Sequence, residues 1–480
     1  MRIDIVNLIL ILAILLTSND IALGKDSSAS NLLLASAAQA QSEPSDTIEQ
    51  IEHLTKQVIL KEIELEKFNL HYRKEVGKQG RWSGWRYATL QEANFCLNLA
   101  SGIYSTSERS SHFKHPDKLS PAKLERSNIT SMLGYIIGAS AGALELGITE
   151  FHDIQASRKG FSPKAAKAHV LSLKIEIDKL LLEREALLKI ESAAPLLHYH
   201  AAEDLAEGKV LVDLRDLALL EYEKFHIGAR RYVAFQKSLY FLDMTKYTCS
   251  AIGSFFAFLS QHRHDRKWNL RAGILDDIAG GLIIATPFLS RGIGVVEQEI
   301  QRHHIAPIVR NVQTRQIATL EADETALEKL SQEITPNIDI ANSPLKRMSM
   351  YRKENHYFES ESERIIKQER AGKLTATQNM IAGTFTGGTH LASGILYTSA
   401  GKIANDQTLR DSRVSNYNLG TAAIISIPGN AVAILDTLRI QVQAEINRHK
   451  ASRAGKLPAQ LFAANLAQLD GLEQQLKTQR

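Results

Sequence analysis

The sequence is poor in the residues on which many activities depend. It holds 2 cysteines in 480 residues, Cys96 and Cys249, each inside an apolar, small-residue segment. A structural metal site or a disulfide framework needs more ligands or more pairs. Both are expected as buried thiols, with a single disulfide open to them in an oxidising compartment. No stretch alternates apolar and polar residues between turn signals, so essentially no sheet is expected. Nucleophile motifs are missing. Gly292-Ile293-Gly294 runs into Val295-Val296-Glu297 and completes no dinucleotide fingerprint, and Gly387-Gly388-Thr389-His390 lacks the lysine of a phosphate loop. Asp276 and Asp277 are adjacent, so on a helix they diverge rather than form an acid–base pair. Charge of one sign is also lacking: 57 Lys and Arg stand beside 53 Asp and Glu, interspersed along the chain. That balance argues against nucleic acid as a partner. No cofactor is expected, and a non-catalytic role is favoured over an enzyme.

What the sequence has is apolar segments in a particular order. Arg2, an apolar run from Ile5 to Leu16 and the small residues around Ala22-Leu23-Gly24 read as an export signal over residues 1–24. The alternative is an uncleaved anchor. A second small-x-small site, Ala38-Gln39-Ala40, lies far past the apolar run. Residues 25–45, rich in Ser, Ala and Gln, read as a flexible leader. The chain is therefore expected in a cell-envelope membrane of a bacterium, or otherwise in the periplasm or outside the cell.

Beyond the leader the chain echoes itself. Leu99-Ala100-Ser101-Gly102-Ile103 recurs as Leu391-Ala392-Ser393-Gly394-Ile395, with Ser250-Ala251-Ile252-Gly253-Ser254 as the middle counterpart. The interval from Gly253 to Pro287 equals that from Gly394 to Pro428. Glu299-Ile300-Gln301-Arg302-His303 is echoed by Glu445-Ile446-Asn447-Arg448-His449. These landmarks predict an all-α chain of three degenerate repeats of about 145 residues, 46–195, 196–340 and 341–480. Each repeat would hold an apolar small-residue helical hairpin plus amphipathic helices. The amphipathic stripes follow three–four spacing: Ile51, Leu54, Val58, Leu65, Phe68 and Tyr72; Val170, Leu173, Ile177, Leu180 and Leu187, interrupted by Arg184; Leu320, Leu327, Leu330 and Ile334; Phe462, Leu466, Leu469 and Leu476. They resemble short coiled-coil seams.

Whether the hairpins enter lipid is the central question. A spanning helix needs about 20 mostly apolar residues. By uncharged length, Leu374 to Gly401 and Val414 to Leu435 qualify, Ser127 to Leu144 is marginal, and Ala93 to Ser107, Tyr247 to His262 and Ile278 to Ser290 are short. Three features favour membrane. Gly134, Gly138 and Gly142, and again Gly383 and Gly387, recur at helical spacing and suit close helix packing. Pro287 and Pro428 fall inside apolar runs. The connections 107–126, 263–277 and 401–413 hold twelve Lys or Arg in forty-eight residues, about twice the average of 57 in 480. Trp82, Trp85 and Tyr87 suggest either an interfacial belt or a packing cluster at the helix entry. Against membrane stand the Ser, Thr and Asn of the first segments, and the cost of Glu145 and Arg291 unless paired or at an edge.

Three roles follow. The first is a membrane-associated helical scaffold, with lipid as a partner and a protein partner or self-association through the charged helices. The second is a transport or pore component built from three equivalent hairpins. The third is a metal-dependent enzyme, with His262, His264, Glu299 and His303 as weak candidate ligands. Seven of 16 histidines lie in the second repeat, including His198, His200, His226 and His304, but none forms a helical His-Glu-x-x-His.

Overall fold

A computed structural model describes residues 44–77, 83–192, 198–265, 267–310, 312, 317–334, 347, 351, 378, 380–403, 409–454 and 457–478. Nearly all of the described residues are helical, and none among them is in a strand. In chain order they form α1 (Pro44–Val76), α2 (Ser83–Ser111), α3 (Pro121–Ala156), α4 (Pro163–Ser192), α5 (His198–His262), α6 (Lys267–Val309), α7 (Ile317–Ile334), α8 (380–402), α9 (Leu409–Arg453) and α10 (Pro458–Thr478). The export signal and the Ala38-Gln39-Ala40 site lie outside the described residues, as do Trp82 and the repeat boundaries at 195/196 and 340/341. The leader expected to 45 gives way to helix at Pro44.

Six helices close into a ring in the order α2, α3, α5, α6, α8, α9 and back to α2. Consecutive members α2–α3, α5–α6 and α8–α9 run antiparallel, so the helix ends near Ser111, His262 and residue 403 lie on one side. Small residues set the seams. A Cβ on Gly134 would meet Asn94 and Asn98 of α2, whereas one on Gly142 would meet the Tyr240 carbonyl of α5. On α8, Gly387 lies against Ile284 and the Gly280 carbonyl of α6, and Gly383 against Pro287. Gly102 of α2 faces Ser426 and Ile427 of α9, which shuts the ring. Pro287 and Pro428 lie inside α6 and α9, which continue through them.

The remaining helices form a layer at the other end. Stripe residues of α1, α4, α7 and α10 meet the first half of α5 and the end of α6 in one core that includes Val58, Leu65, Tyr72, Val170, Ile177, Leu214, Leu219, Ile305, Leu320, Leu327 and Leu469. Apolar spacing along each helix is what brings these faces together. Arg184, which interrupts the α4 stripe, is fully buried: its Nε donates to Thr55 Oγ1 at 2.7 Å and its guanidinium reaches Glu207 at 3.2 Å. Gly160 (φ 85°) turns the chain between α3 and α4, where its lack of a side chain is needed.

A buried histidine ties this layer together. His226 Nδ1 pairs with Tyr72 Oη at 2.8 Å and Nε2 with Gln301 Oε1 at 3.2 Å. Burial, opposed by the Gln301 bond and aided by Arg230, Lys167 and His304, lowers its pKa to about 4. The unfolded chain then takes up the proton first as pH falls from ~6.5. Stability is full above that value and declines toward pH 4, by about 3 kcal/mol in all. Denaturant titrations at pH 7.5 and 4.5 should show that loss in wild type, and a His226→Gln variant should show much less of it.

Two expectations from sequence are corrected. Cys96 is exposed on the ring's outer side and Cys249 is half-buried; both thiols are free. The sequence placed both in the core because small apolar neighbours mark a helix seam, yet on α2 the Cys96 side faces outward. Tyr87 does not join a belt: its hydroxyl donates to Asp243 of α5, while Trp85 is exposed.

Candidate functional site

The ring is polar inside and apolar outside. On α2, Asn94, Asn98, Ser101 and Ser105 are buried, whereas Ile103 and Tyr104 are more than half exposed. On α3, Ser127, Gly134 and Gly138 face in while Ile129, Leu133, Ile136 and Leu144 face out. On α8, His390 and Ser393 are buried and Ile381, Phe385 and Ile395 exposed; on α9, Asn416 and Asn430 are buried and Val414, Ile424 and Leu435 exposed. A water-soluble protein hides such side chains in its core and rarely leaves so continuous an apolar surface uncovered.

Three helices, α3, α6 and α9, are long and apolar enough to cross a membrane. On α9 the apolar outer face from Val414 to Leu435 measures about 32 Å of helix, against a hydrocarbon core of about 30 Å. Ile278 to Ser290 read as too short because Asp276 and Asp277 end its uncharged run. In the folded ring α6 continues past them, and Asp276 faces the interior rather than the outer face. A belt of charge borders the apolar band on the side of the helical layer: Arg86 Nε bonds Glu145 Oε1 at 2.6 Å, Lys246 Nζ pairs with Asp243 Oδ1 at 2.6 Å, and Lys237 pairs with Glu150 and Asp153 at 2.9 and 2.6 Å. Glu145 is thus paired, which meets the condition for tolerating it at this level.

Inside the ring lies a chamber of about 60 Å³, walled by residues of all six helices: Asn98, Ser101, Ser105, Ser127, Ser131, Tyr135, Ser254, Asp276, His390, Ser393, Tyr397, Ser426 and Asn430. That is room for a few water molecules. A second cavity of about 120 Å³ continues toward the helical layer, lined by Phe95, Lys246, Tyr247, Ile283, Thr386 and Thr437. Tyr135, His390 and Asn430 belong to both walls and form the waist between them. Hydroxyls bind across the chamber wall: Ser101 and Ser127 exchange bonds of 2.8 and 2.9 Å with each other's carbonyls, and Ser131 Oγ donates to Asn98 Oδ1 at 2.6 Å. Asn430 donates to the Ser426 carbonyl at 2.9 Å, while its own Oδ1 has no protein partner among the described residues.

The candidate metal ligands are not brought together. His262 is at the connection end, stacked on Phe258 and 3.4 Å from Glu125; His264 follows in the connection with φ 50°. Glu299, bonded to Arg302, and His303 lie on the exposed face of α6 about 48 Å of helix further on. Among the described residues no group of three or more His, Cys, Asp or Glu could hold a metal ion. The chamber went unseen in the sequence because its Ser and Asn residues are scattered over six helices; the one signal that could have found it, the polar content of the first segments, counted against membrane instead. No protein-family model matches the chain, and no curated protein or solved structure is significantly similar to it, so its function rests on this geometry.

Proposed function

We propose that this chain is a membrane transport component, in which three equivalent helical hairpins surround a pathway for small polar solutes. One observation carries the reading: the ring is apolar where lipid would lie and polar where solute would pass. Lipid-facing helices must present apolar side chains, and polar residues in lipid face the interior of a bundle. The sequence echo supports related units: Gly102 and Gly394 pack on a helix of the neighbouring hairpin, α9 and α6, and Gly253 on its own hairpin partner α6. The Lys- and Arg-rich connections gather at one end, which by the positive-inside rule would face the cytoplasm. The helical layer would then lie on the exported side.

Liposomes containing the full chain should shrink and re-swell faster than protein-free liposomes when challenged with glycerol, read by stopped-flow light scattering. Permeation of glycerol and of small ions both equal to that of protein-free liposomes overturns the transport reading. The scaffold reading draws on a separate feature, an open groove of about 580 Å³ between α1, α4 and α10, edged by Lys61, Glu64, Lys67, Glu176, Lys179 and Glu473. A protein that stays with membranes, passes no solute and loses a partner on Lys61→Glu would favour that role instead.

A further inference from the structure

We infer that the chamber selects small monovalent metal cations of potassium or sodium size, and that Asp276 is the selecting residue. This rests on the transport reading. Asp276 stands in the chamber wall beside Gly253, and no lysine or arginine among the described residues lies within ion-pair distance of it. A carboxylate at membrane depth is costly to keep and marks an ion pathway. A second observation points at the same ligand. Asn430 is 2% exposed, lines the chamber, and presents a carbonyl oxygen that accepts no hydrogen bond from the described residues. Such an oxygen is satisfied by a water or a cation in the chamber.

Of the two nearby cations, Lys246 is paired with a carboxylate, whereas Arg109 bonds only neutral groups behind the chamber wall and keeps its charge. Lys246 is bound to Asp243 and lies over the Tyr247 ring. Arg109 donates to Ser105 and Asn416 in the α2–α9 seam and is not part of the chamber wall. The wall therefore offers one carboxylate and neutral oxygens from serine and asparagine, a ligand set for hard cations rather than anions. Divalent sites usually gather several carboxylates. Here Asp277 is not part of the chamber wall: its Oδ2 takes a bond from Thr398 at 3.4 Å, and its Oδ1 packs on Gly394 without a hydrogen bond from the described residues. One negative charge fits a monovalent ion.

The test uses the full chain in lipid. In a planar bilayer with a tenfold KCl gradient, the zero-current potential of the wild type should lie near the potassium value. Reversal at the chloride value, or conduction of protons alone, overturns the inference, and this measurement needs no variant. In liposomes, Asp276→Asn should lower rubidium uptake at least tenfold; uptake equal to wild type overturns the role of Asp276. Glycerol permeation of the wild type separates the two readings. Glycerol passing without rubidium removes cation selection alone, whereas passage of neither removes the pathway and the selection with it.

Discussion

Glu207→Ala is expected to destabilise the helical layer by about 3–5 kcal/mol, the largest effect of any single change outside the ring. Glu207 is fully buried. It accepts bonds from Arg347 Nε at 2.6 Å, Arg347 Nη2 at 2.9 Å, Tyr351 Oη at 2.8 Å and Arg184 Nη2 at 3.2 Å. Removing the carboxylate takes away the counter-charge that the two guanidiniums share and leaves Arg184 with Asp204, 3.4 Å away and less buried, so the cost approaches that of breaking a buried ion pair. The pH behaviour has a definite sign. Burial alone would raise the Glu207 pKa, but the charges and bonds of Arg347 and Arg184, with the Tyr351 bond, lower it on balance. A depressed carboxylate contributes stability above its unfolded value of ~4.3 and loses it as pH falls through the folded value. Chemical denaturation of wild type should weaken below about pH 4 from this source, and Glu207→Gln should flatten that part of the profile. A midpoint unchanged in Glu207→Ala would show that the network is not a structural anchor.

The second large effect is expected in the ring. Gly280 brings α6 onto α8 so closely that a Cβ would lie 2.6 Å from the Leu391 nitrogen and 2.9 Å from its Cα. Gly273 is tighter still against the Thr398 nitrogen and the Gly394 carbonyl. Backbone cannot yield as a side-chain end can, so Gly280→Leu must part the two helices. Overpacking of this kind costs typically ~1–3 kcal/mol, and more where a seam opens. In detergent the thermal midpoint should fall by several degrees, and α8 should become cleavable by protease in Gly280→Leu but not in wild type. A Cβ on Gly281 would meet nothing within 4 Å, so Gly281→Ala should leave both readouts unchanged.

Part of this arrangement is visible in the sequence. Three–four spacing alone identifies the helices, and the stripe residues Val58, Leu65, Val170, Ile177, Leu327 and Leu469 all reach the layer's core. Close helix packing was legible from Gly134, Gly138 and Gly142, because small residues four apart share one face. The inward polar face was not. Hydropathy averages over all sides of a helix, so Asn98, Ser101, Ser254 and Ser393 count against lipid although their helices show Ile103, Ile252, Phe255 and Ile395 outward. The same averaging made Asp276 end an apolar run. Long-range charge networks left no local trace: Arg184 read as a flaw in a stripe, and its partner Glu207 drew no notice because the groups that bind it, Arg347 and Tyr351, come about 140 residues later. The histidines misled for the opposite reason. Close in composition, His262 and His303 are separated by the length of α6.

The orientation of the polar and apolar faces can be measured directly. A spin label placed in turn at Ile103→Cys, Ile136→Cys and Ile395→Cys, with the native Cys96 and Cys249 replaced by alanine, reports collisions with oxygen dissolved in lipid and with a nickel chelate dissolved in water. A membrane-embedded ring requires all three sites to meet oxygen far more often than nickel in reconstituted liposomes. Frequent nickel collisions at these positions would place the apolar faces in water and contradict the membrane pathway.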